Sequence, residues 1–382
     1  MLRCKKPYLP PVVASGASHL VVEGMINTGA DTTIIRLTHT IALSTPGSAA
    51  PAETGASVVV QSDANTSYPL TETSAGYYIE VGLNLNPSGK YRLQITTADN
   101  KVYQSDYVAA KISPAIDSLS FQAKSDGMEV NAATHDPTNN TRYYRWDYTE
   151  TWIIHAAFDS QLMLKTDPVD TIVFRGATAQ IYKCWQSDKS SDIILNSTAK
   201  LTNDIVTSQP VGFIPSNSEK FTERYSILVK QYALTPDAHD YYQQLRKNTE
   251  QLGGIFDPQP SSLTGNIHCT TIPAEQVIGY ITAGTVTQKR IFISTSALPV
   301  GAQWRPLTPY SGCLLASYLY SNPKTGNNDV ASYLYAPGTI NIPVEPIQQP
   351  GHPPTGYTAS SGVCVDCTLR GTSKAPDFWT SQ

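Results

Sequence analysis

Two cysteines two residues apart, Cys364-Val-Asp-Cys367, are the first place in this sequence to look for chemistry. Such a pair can be a redox dithiol, but that role wants a strand–helix setting in which the first thiol opens the helix. Here Gly and Pro flank it in a strand-poor tail, which disfavours redox work. Half a zinc site would need a second pair at ligand spacing, and Cys184 and Cys269 do not supply one. Structural disulfides among Cys184, Cys269, Cys364 and Cys367 are the favoured reading, with the connectivity open. His268-Cys269 has the residue types of a base and a nucleophile, but neighbours on a strand point to opposite faces. Asp147 and Glu150 lie in an aromatic run and could form a glycosidase pair only at a separation that spacing alone does not set. No G-x-S-x-G elbow, phosphate loop or H-E-x-x-H occurs. No catalytic residue, metal or cofactor is expected.

Two further features invite binding rather than catalysis. In YYRWDYTETW the aromatics Tyr144, Trp146, Tyr148 and Trp152 fall at even positions and would line one strand face. That face is either a ligand surface or the packing of a large sheet, since tyrosine and tryptophan serve both. The start, MLRCKKPYLPP, places Cys4 before two lysines and a proline-rich tether, outside any strand-like run. MLR is too short for the basic start and apolar core of a secretory signal, so such a signal is expected upstream.

The elements that must position these residues read as strands. At 382 residues the chain has room for two or three cores. Charged residues are 15%, against about 25% in ordinary soluble domains, while tyrosine (22), glycine (24) and proline (27) are abundant. This composition predicts an all-β, extracytoplasmic protein. A net charge of −4 without a basic block excludes nucleic acid as a partner. No run of eighteen apolar residues is present. After a tether over residues 1–11, residues 12–113 read as an immunoglobulin-like β-sandwich of short alternating strands separated by turns such as Ser74-Ala-Gly76 and Asp99-Asn100. Pro114 then opens a larger β-sandwich or barrel-like domain, 114–382, rich in longer Tyr/Trp/Val/Ile strands. One helix is inserted there, about 236–252. Thr235 caps it, Pro236 takes the first position, Asp237 meets the positive dipole end, and Gly253-Gly254 stops it. From 299 onward the pattern weakens, and cross-links or aromatic docking are expected to order the tail.

Four stretches carry a family resemblance: CKKPYLPP with HLVVEGMINTG, the long RYSILVKQYALTPDAHDYYQQLRKNTEQLGGIFDPQPSSLTGNIHC, VIGYITAGTVTQKRIFI, and CVDCTLRGTSKAPDFW. They resemble the Bacteroidota lipoproteins grouped as domain-of-unknown-function family 4249, over nearly the whole chain. The resemblance implies a non-enzymatic outer-membrane lipoprotein, held at the cell surface by lipid on Cys4. Its expected partner is a SusC-type TonB-dependent receptor, for which it would be an accessory or capture protein. It also marks Cys184, Cys269, Cys364 and Cys367 as the recurring cysteines, leaving Cys313 as the unpaired thiol. Two rival expectations come from other classes: a surface hydrolase of glycans or peptides, and an adhesin or structural envelope protein.

Overall fold

The computed structural model describes residues 18–41, 49–166, 170–250, 263–301 and 304–379. The first eight strands are β1 (Leu20–Asn27), β2 (Thr32–His39), β3 (Ser57–Ser62), β4 (Ser67–Ser74), β5 (Tyr77–Val81), β6 (Lys90–Thr96), β7 (Val102–Ser105) and β8 (Val108–Ala109). There follow β9 (Ile116–Ala123), β10 (Gly127–His135), β11 (Tyr143–His155), β12 (Leu162–Lys165), β13 (Thr171–Phe174), β14 (Lys183–Lys189), β15 (Ile194–Ser197), β16 (Ile205–Pro215), β17 (Arg224–Ala233) and helix α1 (Pro236–Glu250). The remainder comprises β18 (Ile267–Cys269), β19 (Val277–Ile278), β20 (Ala283–Gly284), β21 (Val286–Ser294), β22 (Ala316–Leu319), α2 (Asp329–Tyr333), β23 (Asn341–Ile347), β24 (Gly356–Ser361) and α3 (Gly362–Val365). The all-β expectation holds.

The alternation that predicts half-buried strands is realised in β3 and β6, where Val58, Val60, Leu93 and Ile95 turn into one core and their neighbours face out. Asn65 and Asn100 reach the left-handed region (φ 61° and 63°) at the turns after β3 and β6, as their short polar side chains allow. Strand β4 contains Pro69, a residue that ordinarily argues against a paired strand. Proline fits since residues up to Leu70 pair with β3 alone, while β5 takes over only from Thr71, so the missing donor faces no partner.

The first sheet runs β18-β7-β6-β3-β4-β5-β2-β1-β19, with β20 also on β1 and β8 on β6. Its two ends, β18 and β19, are separated only by residues 270–276, so the sheet curls almost shut around its core. Residues 12–113 therefore do not complete this unit by themselves. The chain returns through residues 267–284, and Leu20 pairs with Val277 while Ile26 pairs with Ala283. Periodicity shows that a strand exists but not which distant strand it joins.

The second unit is a sandwich. A three-stranded sheet, β16-β10-β9, packs on a five-stranded one, β14-β11-β17-β21 with β15 also on β11. Met128, Val130 and Val211 from one sheet meet Trp146, Ile154, Ile227 and Val229 from the other in a single core. Gln231, fully buried, ties this core to the crossing from the first unit. Its Oε1 accepts from Trp146 Nε1 (3.0 Å), and its Nε2 donates to the Pro114 carbonyl (2.9 Å) and Thr134 Oγ1 (3.1 Å). Ser113 Oγ donates to the Gln231 carbonyl (3.0 Å), and Thr287 Oγ1 donates to that of Pro114 (2.8 Å). The boundary proline thus sits in a satisfied buried network that fixes the two units relative to each other.

Helix α1 begins as expected, with Ala238 N–H donating to Thr235 Oγ1 (3.3 Å) and His239 N–H to the Thr235 carbonyl (3.0 Å). Gly253-Gly254 lies outside the described residues. The helix packs Ala238 and Tyr242 against Met25, Tyr143, Leu195 and Tyr280, bridging both units. Beyond 299 there is more sheet than the composition suggests: β22-β24-β23 form a three-stranded sheet, beside the hairpin β12–β13. Residues 362–379 are held as expected for a tail, by disulfides and ring contacts.

Candidate functional site: a cleft over the outer face of the central sheet

Register along β11 separates two faces. Even positions carry Tyr144, Trp146 and Trp152 into the sandwich core, with Tyr148 half-buried against it. Tyr144 and Trp146 stack there at 5.5 Å. The aromatic row is therefore core and not a binding surface, because the second sheet covers it. Odd positions, Arg145, Asp147, Thr149 and Thr151, point the other way. Across the ladder they share that face with Lys189 and Ser187 of β14, with Tyr232, Lys230 and Ser226 of β17, and with Gln288 and Arg290 of β21. Toward the first unit this outer face is charged, with Arg145, Asp147, Lys189 and Lys230, and toward its other end it carries Ile153, Trp185 and Phe292.

At one end the tail covers this face. Phe378 lies under the Arg290 guanidinium (3.5 Å), and Trp379 meets Phe292 edge-on (5.4 Å) and Trp185 at 6.4 Å. The Arg224 guanidinium sits over Phe292 at 4.2 Å. A cavity of about 800 Å³ remains between Trp185, Glu223, Thr295 and Trp379. Beside it Lys183 Nζ pairs with Glu223 (2.5 Å), as does His155 Nε2 (3.2 Å). Burial holds the His155 imidazole below its ordinary pKa, against the pull of Glu223.

At the other end the wall is the first unit. A cleft of about 640 Å³ lies between one wall made by β1, β2 and β5, with Glu23, Asp31, Ile34, Arg36 and Tyr77, and the sheet residues Arg145, Asp147, Lys189, Lys230 and Tyr232. Gly24 is required where it stands. Its φ is +135°, and a Cβ there would lie 2.2 Å from the Ile34 carbonyl oxygen. Arg145 is held between the rings of Tyr232 (4.3 Å) and Tyr242 of α1 (4.9 Å), with Asp147 Oδ2 at 3.6 Å from its Nη2. Burial, with the Asp147 charge behind it, pushes the Tyr232 phenol well above its ordinary pKa, so it stays neutral. On the opposite wall Arg36 and Glu23 satisfy each other at 3.1 Å.

The other sequence candidates resolve as follows. Cys4 lies outside the described residues. Cys184 bonds Cys367 and Cys313 bonds Cys364, so the two tail thiols are not partners of each other. Cys313, expected to be left over, is bridged, and Cys269, expected in a bridge, is a free buried thiol. The reason is topological: β18 carries Cys269 into the core of the first unit, where no other thiol of the described residues lies, whereas the 313–364 loop folds Cys313 back onto α3. His268 and Cys269 face opposite ways, with His268 exposed and the thiol buried. Asp147 and Glu150 also face opposite ways. Glu150 is buried beneath the sheet, accepting from Tyr225 Oη (2.8 Å) and paired with Lys220. These carboxylates cannot flank one bond. The cleft cations Arg145, Lys189 and Lys230 were not singled out in the sequence. The signal for them was the same alternation, read on its polar phase.

Fold and cleft together define a disulfide-bridged all-β chain in which a nearly closed sheet and a sandwich enclose a cation-floored cleft. The chain belongs to the family described as Domain of unknown function (DUF4249), which it matches over residues 5–290. That span contains every cleft residue named above. No curated protein matches the chain. Among solved structures, a biofilm-associated protein B domain aligns at 7% identity over 71% of this chain and 88% of that chain. Its TM-score of 0.15 is too low to bear on fold or function.

Proposed function

We propose that this chain is a non-enzymatic capture protein of the cell envelope, tethered through lipid on Cys4, that takes a ligand into the cleft for a TonB-dependent outer-membrane transporter. The observation that carries the binding half is the preformed cleft, whose walls are locked by the Gln231–Pro114–Ser113 network and whose floor is already ordered by the Arg145–tyrosine stack. Two disulfides suit an oxidising compartment such as the envelope. The hydrolase alternative loses its named residues, since Asp147 and Glu150 lie on opposite sides of β11. The tether, transporter and outer-membrane location rest on the family resemblance.

The test is purification of the native protein from envelope membranes. Its N-terminal peptide should carry acyl chains on Cys4, and a large transporter barrel should co-purify. An unmodified Cys4 thiol behind an intact Met1 removes the tether, and a chain recovered repeatedly without such a barrel removes the transporter role.

A further inference from the structure

We infer that the floor of the cleft is a subsite for a small multivalent oxyanion, seated on Arg145, Lys189 and Lys230. This names the ligand chemistry of the proposed capture site and rests on that reading. Three observations converge on it. First, Arg145 is clamped flat between the Tyr232 and Tyr242 rings, which removes most of the rotamer freedom a ligand would otherwise have to quench. Its Nε is buried and has no hydrogen-bond partner, and Asp147 stands 3.6 Å from a different nitrogen, so the guanidinium is under-satisfied. The Nε itself has no surface open to the cleft, so an acceptor arriving there meets the partly exposed remainder of the guanidinium fork.

Second, the Lys189 and Lys230 side chains line the same cleft and make no ion pair or hydrogen bond among the described residues. Lys230 lies directly across the ladder from Asp147, yet the two are not within ion-pair distance. Third, this cationic floor belongs to a chain whose formal net charge is −4, so it does not reflect general basicity. Three cations grouped on one floor raise the local positive potential and draw in counter-charge. The facing wall offsets it only in part: Glu23 is paired with Arg36, and Asp31 is the wall carboxylate without an ion pair among the described residues, against three floor cations. A neutral ligand would leave these cations as exposed as before. An oxyanion with two or more charges meets a planar fork and two mobile ammonium groups, a donor set that suits phosphate and carboxylate alike.

Isothermal titration of the full chain tests this, with tripolyphosphate in one arm and citrate in the other. Saturable binding is expected in at least one arm, and the arm that binds tells phosphate from carboxylate. Lys189→Gln with Lys230→Gln should weaken it at least about tenfold. Arg145→Lys keeps the charge but loses the fork, and should also weaken it. Lys183→Gln removes an equal charge from the far end of the same face, where Glu223 already neutralises it, and should change binding within about twofold. Binding should fall as salt rises from about 50 to about 500 mM. Failure of both probes to bind, or binding indifferent to the Lys189/Lys230 double variant, overturns the inference. If neither probe binds but the transporter barrel still co-purifies, the oxyanion assignment fails and the capture reading stands.

Discussion

Replacing Cys184 and Cys367 together by alanine removes the bridge that pins the tail to the sandwich. That bridge closes a separation of 183 residues, for which loop-closure entropy sets a ceiling of about 5 kcal/mol. The Cys313–Cys364 bridge, spanning 51 residues, is nested within it and short-circuits part of the loop. Because the entropy depends on the logarithm of length, this nesting lowers the ceiling by only a few tenths of a kcal/mol. Both sulfurs are fully buried, and alanine avoids burying a new hydroxyl or free thiol, so the packing loss is small. Measured bridges fall short of the ceiling, and about 2–5 kcal/mol is expected here. Urea unfolding followed by tryptophan fluorescence reads the loss directly. Hydrogen exchange should show where it acts: the Trp185 and Thr372 amides, which exchange hydrogen bonds of 2.8 and 2.9 Å across the β14 edge, should lose protection first. A loss below about 1 kcal/mol, with the bridge confirmed intact in the parent by mass spectrometry, would refute the reasoning.

Gln231→Leu preserves volume but orphans the Trp146 indole N–H, while Pro114 keeps Thr287 as donor. A loss of about 1–3 kcal/mol in urea is expected, and Trp146→Phe should cost less in this background than in the parent, because its hydrogen bond is already gone. Asp136 is held down to about 2. Burial works to raise it and is outweighed by hydrogen bonds from Thr138 and the Thr141 amide. Its folded pKa is depressed, so its contribution of about 2 kcal/mol is present above the ordinary carboxylate range and fades as pH falls from about 4 towards 2. Stability of Asp136→Asn should therefore trail the parent at pH 7 and converge with it near the acid end. Cys269 should resist alkylation in the native state and become reactive on unfolding, as peptide mapping after iodoacetamide would show.

Strand existence was legible wherever one face was buried, as in β3 and β6, since a period of two is visible locally. The helix was legible from Thr235 and Pro236, which act within one turn. Pairing was not: nothing near Val277 announces that it lies beside Leu20. Nor was the choice of disulfide partners, because Cys313 and Cys269 differ in environment only after the chain has folded. The candidate site shows the limit most clearly. In YYRWDYTETW the aromatic phase attracts notice, yet large rings in a two-layer sandwich are what the opposing sheet must bury. The plain polar phase, Arg145 and Asp147, was the exposed one. Which face of an alternating strand meets solvent depends on how much apolar surface the partner sheet offers, a quantity no single strand contains.

The strands that close the first sheet, β18 to β20, come late in the chain. A chain that begins to fold from its N-terminus holds β1 and β7 as open edges until every sandwich strand but β21 has been made. Such edges invite pairing with other chains. Closure over so long a separation is also slow, because the entropy of the intervening loop is spent before any contact returns it. A fragment ending at 113 is then not a small domain but an unfinished one, expected to aggregate. Nor can the two units be exchanged or inserted like beads on a string: a cut between them severs one sheet in two places, and the family match runs without a break across both. What is inherited, and what must fold, is a single block.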